Sequence, residues 1–185
     1  RYHDVAVKMT LDRPLGGHRV VLSVVMPGLD QASLEEVQRR VDSYRAGDPA
    51  RMPEFKGARL LHRLPWPLGP AAFRSAVRPL RRRARTLGTV AVSSLGHRPV
   101  DAFYAVGGTT VTLGVGQVSP RPVVRDGGIG VAPLMRLSLA FDHRVIDGAE
   151  AADVLAEVKD GLERFPAEAA PAAPPEPAAQ ESRTP

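Results

Sequence analysis

Phe141-Asp142-His143-Arg144-Val145-Ile146-Asp147-Gly148 is the stretch on which the reading of this chain turns. Before it, Val131 to Phe141 reads as a strand. After it, Ala151, Val154, Leu155, Val158 and Leu162 recur at helical spacing. The octapeptide therefore sits where a strand ends and a helix begins, with Asp147 placed to cap that helix. Histidine is the side chain whose ordinary pKa suits proton transfer near neutrality. A junction of this kind holds the ring in place while leaving an outer nitrogen accessible. Gly148 lets another backbone come close.

Upstream of the octapeptide, strands dominate from Gly88 onward. Thr89–Ser94 and Thr110–Val118 are two of them, and Asp126-Gly127-Gly128 is a hairpin turn between 122–125 and 131–141. Residues 58–87 read as helices. Leu60, Leu61 and Leu64 suggest a short one stopped by Pro65 and Pro67. Ala72, Phe73, Ala76, Val77 and Leu80 line a face of a second, which Pro79 should kink or end. That apolar face beside Arg81-Arg82-Arg83-Ala84-Arg85 suits a membrane surface. The favoured expectation is the more ordinary arrangement, a helix packed on the sheet with its arginines outward, because amphipathic helices of soluble proteins show the same pattern.

Nearer the start, 3–11 and 19–26 are strands joined by a turn at Arg13-Pro14-Leu15-Gly16-Gly17. Ser33-Leu34-Glu35-Glu36 is a capping box in which Glu36 should reach back to the serine. The helix it opens puts Leu34, Val37, Val41 and Tyr44 on one stripe, and Asp48-Pro49 and Met52-Pro53 then mark a loop. There is no internal repeat. The expected fold is α/β: a mixed sheet from strands in 3–26 and 88–141, covered by helices at 34–45, 69–87 and 148–163.

Composition narrows the chemistry. The chain has no cysteine, which excludes disulfides, thiolate catalysis and cysteine-bound zinc, and it fits a reducing, cytoplasmic setting. The net charge of +5 is almost all arginine, since Lys8, Lys56 and Lys159 are the only lysines. Nucleic-acid grooves interleave aromatics with their cations, and none flank the arginine cluster, so no nucleic-acid partner is expected. No run approaches the roughly 20 apolar residues that span a bilayer. His3, His18, His62 and His97 have no companions at ligand spacing, so no metal site is expected. Gly114-Val115-Gly116 is not a dinucleotide fingerprint, because Ser119-Pro120 follow where a third glycine and a helix are needed. From Pro166 the chain has no aliphatic residue larger than alanine. Residues 166–185 are therefore expected to be a disordered, Ala/Pro-rich tail and 1–165 the folded core. Arg1-Tyr2-His3-Asp4 carries neither an initiator Met nor a signal peptide, and a fragment or processed piece is expected.

Asp142-His-Arg-Val-Ile-Asp-Gly148 matches the His-x-x-x-Asp-Gly signature of the chloramphenicol-acetyltransferase-like superfamily. Continued through Ala149-Glu-Ala-Ala152, it resembles the catalytic domain of the acyltransferase component of 2-oxoacid dehydrogenase complexes. Gly88-Thr-Val-Ala-Val-Ser-Ser-Leu-Gly96, Leu113-Gly-Val-Gly116, Arg121-Pro-Val-Val124 and Pro133-Leu-Met-Arg-Leu-Ser-Leu139 are similar to further blocks of that family, in its order and spacing. The chain is identified as an N-terminally incomplete relative. Val106-Gly-Gly-Thr-Thr110 stands where the family usually has Asn-Pro-Pro, and 47–87 is longer and richer in arginine than its counterpart.

The resemblance implies a catalytic trio. His143 would be the base that deprotonates a thiol of CoA or dihydrolipoamide. Ser93 would donate to the tetrahedral oxyanion, and Asp147 would organise the histidine loop. It implies CoA and a lipoyl group as substrates, the lipoyl carried on another domain or chain, and no metal. It also implies a homotrimer or a multiple of trimers, with hydroxyl and histidine from adjacent subunits, and dehydrogenase-complex components as further partners. Two other readings stand beside it: a CoA-dependent acyltransferase of the same superfamily acting on a small alcohol or amine, and a catalytically idle trimeric scaffold.

Overall fold

The computed structural model describes residues 5–15, 18–65, 68–106 and 108–166. Five strands form a mixed sheet. In chain order they are β1 (Val7–Leu15), β2 (His18–Met26), β3 (Val90–Ser94), β4 (Val111–Val115) and β7 (Leu137–Phe141), and in space the order is β2-β1-β3-β4-β7. β5 (Ser119–Arg125) and β6 (Gly128–Leu134) form a separate antiparallel hairpin. β1 runs parallel to β3 and β3 to β4, while β2 and β7 close the sheet antiparallel at its two edges.

Helix α1 (Leu34–Ala46) covers the β1–β2 end. Leu22 and Val24 of β2 are buried with Phe55, and Met9, Leu11, Tyr44 and Met52 pack around them. Ser33 caps α1 as its sequence requires, accepting from the Glu36 amide at 3.2 Å. The second half of the expected capping box is not made. The Glu36 carboxylate turns down the helix to pair with Arg40, one turn on.

Three more departures from expectation have physical causes. First, β1 continues through Arg13-Pro14-Leu15, expected as turn, and pairs Leu15 with His18. Pro14 is tolerated because β3 accompanies β1 only from Val7 to Met9, leaving the proline on an edge where no ladder bond is lost. The remaining Gly16-Gly17 lie outside the described residues. Second, the helix expected over 69–87 is two, α3 (Leu68–Val77) and α4 (Leu80–Leu87), preceded by α2 (Lys56–Arg63). Pro79 stands at the N-cap of α4, where its missing N–H costs nothing.

Third, the strand expected over Val131–Phe141 is broken at Met135-Arg136. Its first half stays with β5 in the hairpin, and its second half joins β4. The hairpin turn itself is as expected: Asp126 (φ 52°) and Gly127 (φ 76°) both take positive φ, the type I′ geometry that matches strand twist. The hairpin stands off the sheet, leaving Val124, Val131 and Ile129 exposed, the last at 84%. The expected tail, 166–185, lies outside the described residues beyond Pro166.

α5 (Gly148–Glu163) closes the described chain and packs against β7. Of its expected inner stripe Ala151 is buried and Leu155 and Val158 are half-buried, while Val154 and Leu162 stay exposed.

Candidate active site

β7 delivers the chain into the octapeptide. The Asp142 amide donates to the Thr110 carbonyl at 2.9 Å, which ties the start of the turn to the start of β4. Val145 and Ile146 both donate back to the Asp142 carbonyl, at 2.9 and 3.1 Å, and so wind residues 142–146 into a tight turn. The Asp142 carboxylate accepts from the Arg144 amide (3.1 Å), Nε (2.8 Å) and Nη2 (2.6 Å). These bonds hold its pKa down at about 2, led by the guanidinium, so Asp142 is ionised at neutral pH.

His143, between these two partners, is exposed. Its ring rests against Phe141, centroids 5.5 Å apart and tilted by 41°. Among the described residues it has no hydrogen-bond partner, so its imidazole nitrogens are open to a reactant. Asp147 caps α5, accepting from the Glu150 amide at 2.9 Å, and its own carbonyl receives the Ala151 amide at 3.1 Å. The aspartate thus anchors the far end of the histidine turn through the helix rather than by touching the ring.

Ser93 lies elsewhere on the sheet. It stands on β3 opposite Gly114 of β4, and its Oγ shares a 2.8 Å hydrogen bond with Thr10 Oγ1 of β1. Both hydroxyls line a cavity of about 1000 Å³ that also includes Asp12, Arg19, His97 and Phe103. At its mouth Arg19 pairs with Asp12, and His97 Nε2 lies 3.8 Å from the same carboxylate. Thr10 and Asp12 were not singled out in the sequence. They are 83 and 81 residues from Ser93 along the chain, and only the β1–β3 pairing brings them beside it.

The two glycines of Gly114-Val115-Gly116 have a role here. A Cβ on Gly114 would collide with Ser138 Oγ and sit 2.7 Å from the Phe103 carbonyl oxygen. One on Gly116 would run into the Asp101 carbonyl. Their absent side chains let residues 100–103 lie directly on β4, which sets Phe103 into the wall of the Ser93 cavity.

Ser93 and His143 do not meet within one chain. Phe141 pairs with Val111 and Val111 with Val90, so His143 lies beyond the Val90 end of the sheet. Ser93 is three residues along β3 in the other direction and two strands away. With about 4.8 Å between strands and about 3.3 Å per residue, the separation is roughly 15–20 Å. A second, smaller cavity of about 380 Å³ lies beside the histidine turn, lined among others by Arg83, Thr89, Thr109, Thr110, Asp142 and Arg144. Among the described residues no cluster of His, Asp and Glu could hold a metal ion, and no helix is long and apolar enough to cross a membrane.

Solved structures share this architecture. A probable dihydrolipoamide acetyltransferase from Listeria monocytogenes 4b F2365 superposes with a TM-score of 0.62 at 19% identity, over 92% of this chain and 60% of that one. The dihydrolipoamide acetyltransferase of Azotobacter vinelandii does so with a TM-score of 0.58 at 26% identity, over 89% of this chain and 56% of that one. That structure addresses the role of a serine, a histidine and an asparagine in its enzyme's catalytic mechanism. A curated relative, the dihydrolipoyllysine-residue acetyltransferase component of the pyruvate dehydrogenase complex from Bacillus subtilis (strain 168), is 51% identical over 47 residues. Those residues are 25% of this chain and only 11% of the relative.

A strand-to-helix histidine on a mixed sheet of this order thus has the fold of the acyltransferase catalytic domains. Residues 77–169, half of the chain, match the family described as 2-oxoacid dehydrogenases acyltransferase (catalytic domain), and the chain belongs to that family.

Proposed function

We propose that the protein moves an acyl group between the thiols of CoA and dihydrolipoamide, with His143 as general base and Ser93 as oxyanion donor. The observation that carries the reading is the exposed imidazole of His143, without a hydrogen-bond partner among the described residues and held between the Asp142–Arg144 pair and the Asp147 cap inside the family segment. The Azotobacter enzyme supports it. There too a serine precedes the histidine by a similar stretch of chain, and the asparagine follows the histidine by four residues, as Asp147 follows His143 here.

In this mechanism an imidazole nitrogen of His143 takes the thiol proton as the sulfur attacks the thioester carbonyl. The carbonyl oxygen becomes an oxyanion and accepts from Ser93 Oγ. Collapse expels the second sulfur, which recovers the proton from the imidazolium. For Ser93 to donate outward, Thr10 must donate to Ser93 Oγ, which makes Thr10 a positioning residue.

The roughly 15–20 Å between Ser93 and His143 is far beyond hydrogen-bond reach, so the two act on one substrate only if they come from different copies. A trimer, or a multiple of it, joins them. The off-standing hairpin, with Val124, Ile129 and Val131 bare, is the apolar surface such an assembly would cover. Residues 1–165 then form the catalytic core and 166–185 a tail outside it. The lipoyl group arrives on another domain or chain, and dehydrogenase-complex components are the further partners.

Acyl transfer from acetyl-CoA to dihydrolipoamide tests this in the full protein. His143→Ala should lower the rate by about 10²–10⁴-fold with the oligomer intact, and Ser93→Ala by about 10²–10³-fold. Equal activity in wild type and His143→Ala would instead favour an idle scaffold. Turnover confined to a small amine or alcohol acceptor would favour another acyltransferase of the superfamily.

A further inference from the structure

The segment from Lys56 to Arg85 carries nine lysines and arginines, and no aspartate or glutamate occurs between Phe55 and Val100. Among the described residues Lys56, Arg63, Arg74, Arg78 and Arg85 make no ion pair, whereas Arg59 is spent on the carbonyls of Pro49 and Met52. A run of unneutralised cations repels itself unless something anionic lies opposite.

The same segment leaves apolar side chains in solvent. Helix α3 buries no residue and packs on α2 and α4 rather than forming a layer on the sheet. Leu60 is 62% exposed, Leu68 55% and Phe73 45%. On α2, Lys56, Leu60 and Arg63 follow one another at i, i+4 and i+7, so a leucine projects between two exposed cations. The ordinary arrangement, a helix covering the sheet with its arginines outward, would have hidden this apolar face. The chain's one tryptophan, Trp66, lies in the connection between α2 and α3, outside the described residues.

We infer that α2, α3 and α4 form a peripheral docking surface for an anionic lipid bilayer. The cations meet the headgroups, while Leu60, Leu68 and Phe73 enter the headgroup–acyl boundary. Bared leucine and phenylalanine beside unpaired arginine is the composition of an interfacial segment. A nucleic acid would use the cations but leave Leu60 and Phe73 without a role. This inference is independent of the acyl-transfer chemistry, since Lys56, Leu60, Arg63, Leu68, Phe73 and Arg74 lie outside both cavities described above.

Because Trp66 is the only tryptophan, its emission reports on this segment alone. The full protein is titrated with vesicles of phosphatidylglycerol and phosphatidylcholine in equal parts, and separately with phosphatidylcholine alone. The expected result is a blue shift and co-sedimentation with the anionic vesicles only, weakening as salt rises. Arg63→Ser with Arg74→Ser should lose roughly 30-fold in vesicle affinity, about fivefold per cation. Leu60→Ser with Phe73→Ser should lose roughly tenfold or more. Both double variants are checked by circular dichroism and for retained acyl transfer.

Absence of a shift with anionic vesicles would overturn the inference, as would equal shifts with neutral ones. Wild-type vesicle binding by the folded Leu60→Ser/Phe73→Ser protein, with duplex DNA competing, would replace it by nucleic-acid binding. Emission already blue in the lipid-free oligomer, and red-shifting only on dissociation, would place the segment inside the assembly and also refute it.

Discussion

Replacing Gly116 by alanine would drive a methyl carbon into the Asp101 carbonyl oxygen, 2.8 Å from the carbonyl carbon and 3.2 Å from the Val100 oxygen. Carbon contacts rest at about 3.5–4.0 Å, and the obstructing atoms are backbone, so residues 100–101 must retreat by roughly 1 Å. They are not free to do so. The Gln117 amide donates to the Val100 carbonyl at 2.9 Å, Arg121 and Arg136 hold the Asp101 carboxylate, and Ser138 Oγ donates to Phe103 O. Overpacking of this kind costs about 1–3 kcal/mol. Loss of the Gln117–Val100 bond adds about 0.5–1.5 kcal/mol. A total of about 2–4 kcal/mol in a chain of this size should lower Tm by roughly 5–15 °C. Phe103 lines the Ser93 cavity, so the surviving folded fraction should also show a raised KM. Differential scanning calorimetry of wild type and Gly116→Ala checks the first point and steady-state kinetics the second. A Tm within about 2 °C of wild type would refute this close packing, because the three atoms nearest that methyl are all backbone and none is a flexible side chain that could swing aside.

Three further outcomes follow from the site. Thr10→Val removes the partner of the Ser93 hydroxyl and should lower kcat by about the worth of one hydrogen bond, 3- to 10-fold, with KM unchanged. Thr10→Ser should restore it, and steady-state kinetics on the three proteins decides. Asp147→Ala should destabilise the protein by about 0.5–2 kcal/mol through loss of the α5 cap, measurable by urea unfolding. Asp142, held at about 2 by Arg144, binds its proton less readily folded than unfolded. Its contribution to stability is present above the unfolded carboxylate range and is lost as pH falls from about 4 to about 2. Arg144→Ala should raise the Asp142 pKa in a carboxyl NMR titration and flatten that window.

Local chemistry was legible where a few adjacent residues decide it. The Asp126-Gly127 turn, the Asp147 cap, the strand–His143–helix junction and the Ser33 half of the expected capping box all rest on such neighbours, and all appear in the structure as read. Long-range choices were not legible. Val131–Phe141 reads as one strand, but the main chain leaves one sheet and enters another at Met135-Arg136, a decision made by pairing with β5 and β4. Likewise Thr10 beside Ser93, and the lodging of 100–103 on two glycines, depend on segments distant in sequence. The helix expected over 69–87 broke at the proline the sequence itself flags, whereas the bare faces of Leu60 and Phe73 could not be told from packed ones by periodicity.

In the proposed mechanism one active site takes His143 from one copy and Ser93 from another. Ser93→Ala and His143→Ala proteins, each nearly inactive alone, can be dissociated, mixed in equal amounts and reassembled. If the two groups come from neighbouring copies in a ring, about a quarter of the sites in the mixture regain both, and activity should return to about that fraction of wild type. A mixture that reassembles fully yet shows no more activity than its two components would contradict the account.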